Sequence, residues 1–166
     1  MAPVGGGLLW MGKEHVSKIW PLVPPPARAK GMERFEWCGT YPEFTFAPAL
    51  TALKFHEQLG SRRKEERMRY LTRYWRTKAE KLPGLRFFAN DDVSCGLGVF
   101  EIANLDAAKI QKELWDRHKI LVQHMTGGHR LPTLSGIRVT PNVYTTTAEL
   151  DQFIDALTAS VKRLAT

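Results

Sequence analysis

GIRVTPNVYTTTAELDQFIDAL, residues 136–157, opens as a strand and closes as a helix. Ile137 and Val139 alternate with Arg138, the period of a strand with one buried face. Pro141 has no N–H to give to a ladder and marks the end of that strand. Thr146 and Glu149 then have the T-x-x-E spacing of a capping box. From there Leu150, Phe153, Ile154, Leu157, Val161 and Leu164 form one apolar stripe at helical spacing. The strand therefore turns directly into a helix that lies back on a core, with an arginine framed by buried aliphatics. A guanidinium held rigidly at a strand end can clamp a carboxylate through two parallel hydrogen bonds. On residue type alone, a salt-bridged surface arginine competes with that reading.

Upstream, the same pattern repeats. Asp106 precedes Ala107, Ile110 and Leu114 and predicts an N-capped helix to about Arg117. Strands are predicted at Leu85–Phe88, Leu97–Ile102, Ile120–Gln123 and Gly136–Val139. A long helix is predicted over 62–82, with Met68, Leu71, Trp75, Ala79 and Leu82 on one face and Arg62, Arg69, Arg73 and Arg76 on the other. Another is predicted over 43–59, with Pro48 in its first turn. Leu8–Met11 reads as a short strand after a glycine triplet, and HVSKIW as one helical turn. PLVPPPARAKG has four prolines in eleven residues and is an extended connector. Helices that interleave with short strands, each apolar on one side only, predict an α+β fold: a small, mostly antiparallel sheet with helices on one face.

The chain has 166 residues, enough for one domain or one and part of another. Its 43% hydrophobic and 25% charged content is that of a folded protein. No apolar run reaches the roughly 18 residues of a membrane span, so no membrane partner is expected. The N-terminus lacks the features of a signal peptide, and a cytoplasmic location is expected. Cys38 and Cys95 form neither a disulfide framework nor a zinc pattern.

The net charge of +7 makes anionic partners worth weighing. The arginine stripe of 62–82 is interspersed with glutamates and accompanied by no stacking or helix-turn-helix motif, so it reads as a solvated face and nucleic acid is not expected. His124 and His129 bracket a glycine-bearing loop without a carboxylate. That is a poor metal set, and none is expected, but such a loop suits the lining of a ligand site. Gly39-Thr40 alone reads as turn chemistry.

Taken in order, these pieces resemble one family. GIRVTPNVYTTTAELDQFIDAL is similar to the C-terminal signature of class V aminotransferase-type, fold-type-I enzymes that use pyridoxal 5′-phosphate (PLP). FEWCGTYPEFTFAPALTALKFHEQLG resembles their Gly-Thr segment and following helix, and PVGGGLLWMGKEHVSKIWPLV the strand after the cofactor lysine. The isopenicillin-N-epimerase-like branch is the nearest in pattern. The resemblance spans essentially the whole chain.

It implies a division at residues 1–38, the last strand and connector of a large PLP-binding domain, and 39–166, the small C-terminal domain. It implies that Arg138 binds the α-carboxylate of an amino-acid substrate. Asn142, His124 and His129 would lie on the substrate side, and Gly39 and Thr40 at the PLP phosphate across a homodimer interface. It further implies that the Schiff-base lysine lies upstream of Met1, leaving this stretch catalytically incomplete alone. From Gly96 to Thr166 there is no cysteine, which disfavours persulfide chemistry against α-carbon epimerisation or transamination. A non-catalytic interaction module and a basic nucleic-acid binder remain the alternative readings.

Overall fold

The computed structural model describes residues 7–36, 44, 46–127 and 134–165. Its contacts gather into two compact units, residues 1–59 and 60–166. The division expected at residue 39 falls among residues outside the described set.

In the first unit, α1 covers Lys13–Val16 and α2 covers Phe46–Leu59, and a 3-10 turn at Met32–Arg34 lies between them. The turn expected at HVSKIW is thus α1. The strand expected at Leu8–Met11 is not formed. An extended segment becomes a strand only when a neighbour takes its N–H and C=O groups, and these residues have no such neighbour among the described ones. Leu8, Trp10, Trp20 and Leu22 are all exposed.

In the second unit the order is α3 (Ser61–Ala79), β1 (Leu85–Phe87), β2 (Gly98–Ile102), α4 (Ala107–His118), β3 (Gln123–Thr126), β4 (Ser135–Val139) and α5 (Thr147–Leu164). The four strands form one antiparallel sheet in the order β1-β2-β4-β3. Register pairs Phe87 with Phe100 and Phe100 with Ile137, so these three point to one face. All three helices lie on that face, as expected. Trp75 of α3 is fully buried there, with its ring 5.6 Å from Phe87, 6.0 Å from Phe100 and 6.0 Å from Phe153 of α5. Ile110 and Leu114 of α4 close the same core. Gly98 leaves room for the indole: a Cβ there would lie 2.5 Å from Trp75 Cζ2.

Both helix starts form as the sequence implies. Asp106 accepts from the Ala108 N–H at 2.8 Å. The Thr146–Glu149 capping box is complete, with the Thr146 N–H donating to Glu149 Oε2 at 2.7 Å and the Glu149 N–H donating to Thr146 Oγ1 at 3.2 Å.

Two expectations are corrected. The strand placed at Ile120–Gln123 lies at Gln123–Thr126 instead. Lys119 ends α4 in the left-handed conformation, and the Ile120 N–H donates back to Leu114 O at 3.1 Å. The Val122 carbonyl accepts from Gln111 Nε2 at 2.9 Å. The helix cap therefore uses the backbone groups that an earlier strand would need. The arginine stripe of α3 is also not one solvated face. Arg76 is buried, stacks 4.0 Å from the Phe87 ring centroid and donates to Ala89 O at 2.7 Å. Arg69 donates to Ser94 O at 3.1 Å and to Glu65 Oε1 at 2.8 Å. These two, seven residues apart and so on one side of the helix, hold the β1–β2 connection against α3. Arg62 and Arg73 are exposed.

Gly98→Ala should destabilise the fold by about 1–3 kcal/mol, because the indole cannot retreat through a packed core; urea unfolding of the two forms reads this directly. The capping box should show in the pH dependence. The Thr146 backbone N–H and hydroxyl hold the Glu149 carboxyl below its ordinary value of 4.5. A folded-state value below the unfolded one adds stability that is present above about pH 4.5 and is lost as pH falls through the folded value. Glu149→Gln should flatten that part of the acid limb, and Thr146→Ala should cost about 0.5–2 kcal/mol at neutral pH.

Candidate functional site

Arg138 is held on β4 between Val99 of β2 and Gln123 of β3, its partners in register. Alternation turns Ile137 and Val139 toward the helices and Gly136 and Arg138 to the other face. The pairing of β3 with β4 ends at Gln123–Arg138. Beyond that pair residues 120–122 and 139–141 are not bonded to each other, and an open cleft of about 340 Å³ lies there. Its walls include Leu121, Val139, Leu150 and Phe153, with Gln123, Arg138 and Thr145 as polar members.

Arg138 is half-buried, and its Nε is shielded from solvent with no hydrogen-bond partner among the described residues. A buried donor left unpaired is costly, so such a group marks a place where something else is meant to accept. Glu149, the one acid among the described residues of the cleft lining, does not serve it. Its carboxylate is engaged by the Thr146 N–H at 2.7 Å and the Thr146 hydroxyl at 2.8 Å. Arg138 thus borders the cleft from the sheet face turned away from the helices, with no acid paired to it among the described residues, an arrangement that fits a carboxylate arriving from outside.

The other residues singled out by sequence fall in different places. His124 pairs in register with Ile137, so it points to the helix face, away from Arg138. There its Nδ1 is hydrogen-bonded to Gln111 Oε1, and Gln111 Nε2 donates to Val122 O. The structure does not bring His124 and Arg138 together. Asn142 is committed to the turn between β4 and α5. Its Oδ1 accepts from the Val143 N–H at 2.7 Å, its N–H donates to Thr145 Oγ1 at 3.0 Å, and its carbonyl accepts from the Thr145 N–H at 2.8 Å. Arg67 of α3 also donates to Thr145 O at 2.9 Å. This turn sets the angle between the arginine strand and α5. His129, Gly39 and Thr40 lie outside the described residues.

Gln123 is the site residue that sequence reading passed over. It had looked like the last residue of a strand, and only the register places it beside Arg138. Val99 is recognisable as a neighbour on the same ground alone. Among the described residues, no three His, Cys, Asp or Glu side chains gather as metal ligands, and no helix is long and apolar enough to cross a membrane.

No family model matches the chain. It is similar to isopenicillin N epimerase of Streptomyces clavuligerus, with 26% identity over 179 residues that take in 96% of this chain and 44% of that protein. Its fold matches cysteine desulfurase CsdA of Escherichia coli with a TM-score of 0.81, at 17% identity, over 98% of this chain and 44% of that one. It also matches C-DES, in a structure with glycine covalently linked to the PLP cofactor, with a TM-score of 0.71 at 18% identity, over 90% of this chain and 40% of that one. The chain spans less than half the length of these relatives. In sequence it resembles the class V aminotransferase-type enzymes, and its α+β fold matches a portion, less than half, of fold-type-I PLP-dependent enzymes.

Proposed function

We propose that this chain is the substrate-binding small domain of a PLP-dependent enzyme of the class V aminotransferase and epimerase kind, acting at the α-carbon of an amino acid. The observation that carries the reading is the shielded Arg138 Nε, without a partner among the described residues, at the edge of an open cleft. Arg138 takes the α-carboxylate through its planar fork, which fixes both the position and the rotation of the substrate. The Asn142–Thr145 turn and the α5 capping box hold the strand that bears the arginine.

The cofactor supplies an electron sink for charge at the α-carbon when bound. The cleft suits the substrate's carboxylate and not the cofactor's aldehyde, since no lysine is among the described residues that line it. The imine-forming amine is therefore proposed to come from another part of the enzyme, and this stretch to be catalytically incomplete alone. Gly39 and Thr40 are proposed, from the family resemblance, to meet the phosphate of a cofactor bound by a second copy in a homodimer. The lack of a cysteine after Cys95 favours epimerisation or transamination over persulfide chemistry. The nucleic-acid alternative is weakened because Arg69 and Arg76 of its four-arginine stripe serve backbone carbonyls.

Titration of the chain with L-alanine, followed by NMR, should shift the amide signals around Arg138. Arg138→Ala should abolish these shifts. Arg138→Lys keeps the charge but loses the fork, and should weaken binding roughly ten- to a hundredfold, as expected for losing one charge-assisted bond of about 1.5–3 kcal/mol. Unchanged alanine binding in Arg138→Ala would show the assignment to be wrong. Separately, PLP followed by borohydride should leave no stoichiometric lysine adduct at a single site, as read by peptide mass spectrometry.

A further inference from the structure

The face of the sheet that carries Arg138 also carries an ordered apolar shelf. Phe88 follows β1, and its N–H donates to Val99 O at 3.0 Å. Its ring lies over Gly136: a Cβ there would sit 3.0 Å from Phe88 Cε2 and 3.1 Å from Val99 Cγ1. Gly136 thus lets an aromatic ring from the edge strand reach across β2 to β4. Gly136 is two residues from Arg138 on the same face, about 7 Å along the strand. Val99 is the direct cross-strand partner of Arg138.

The ring is held from behind as well. The Arg86 guanidinium stands 4.9 Å from its centroid and is itself paired with Glu101 at 2.7 Å. That pair neutralises itself, so Phe88 and Val99 offer apolar surface between it and Arg138. Phe88 nonetheless remains 36% exposed.

We infer that Phe88 is a specificity-determining residue: with Val99 it receives the side chain of the carboxylate ligand that Arg138 holds, and it selects amino acids with apolar, preferably aromatic, side chains. The inference rests on the reading of Arg138 as the carboxylate clamp. A side chain of several heavy atoms bridges from the clamp to the ring, whereas a methyl group falls short. An acidic side chain would find Arg86 already paired with Glu101, and gain nothing from the apolar ring.

The test compares L-phenylalanine, L-alanine and L-aspartate in NMR titrations of the chain, of Phe88→Ala, of Phe88→Leu and of Arg138→Ala. L-Phenylalanine should bind about two- to tenfold more tightly than L-alanine, the range of one aromatic contact, and should shift the Phe88 and Val99 amides. Phe88→Ala should bring that ratio to about one and Phe88→Leu should keep part of it. The signals of Ile110 and Leu114 in the core monitor folding in each variant. Equal binding of L-phenylalanine and L-alanine, a ratio untouched by Phe88→Ala, or tighter binding of L-aspartate would overturn the inference while Arg138 keeps its role, provided Arg138→Ala still abolishes binding. Absence of binding by all three would overturn both.

Discussion

Trp75 is where α3, α5 and the sheet meet, and the rest of the second unit is arranged around its indole. Three phenylalanine rings from β1, β2 and α5 surround it at 5.6–6.0 Å, mostly edge to face. Aromatic pairs in that geometry add to the gain from burial alone. The indole also imposes a constraint on β2, since only a residue without a side chain fits at position 98. Because Gly98 pairs with Val139, the packing of one tryptophan fixes the height at which β4 runs beside β2, and so where Arg138 stands.

A rigid frame of this kind is what an unpaired buried donor needs. A guanidinium with a shielded Nε would ordinarily rearrange to find an acceptor or water. Here β4 is bonded on both sides, and its far end is tied to α5 by the Asn142–Thr145 turn and the capping box. The nearest acid along the chain is occupied by its own helix cap. The cost of leaving the donor open is thus carried by the surrounding secondary structure, which leaves the site open to the carboxylate that we propose.

Several arginines of α3 do different work. Arg69 and Arg76 donate to carbonyls of the β1–β2 connection, and Arg76 also stacks on Phe87. They are the reason that this polar turn lies against the helix, with Phe88 just before it and Gly98 just after. Part of the basic composition of the chain is therefore spent on its own backbone, which makes net charge a poor guide to partners here.

The periodicities, caps and punctuation of the chain by themselves determined the three helices of the second unit, the one-sided apolar stripes and the strand that bears Arg138. Local rules suffice for these, because a capping box or a 3.6-residue stripe needs no distant neighbour. Tertiary structure alone decided the order β1-β2-β4-β3 and the start of β3 at Gln123, which turned on a helix cap that claims the Ile120 N–H. It decided that His124 and Arg138 stand on opposite faces: within a strand, a shift of one residue exchanges the two faces. It buried Arg76, which the helical wheel had placed outside, because a turn from elsewhere in the chain folds over it. It also brought Phe88 over Gly136, forty-eight residues later in the chain. Contacts at such separations are chosen by how strands register and pack, and no local pattern in either segment encodes them.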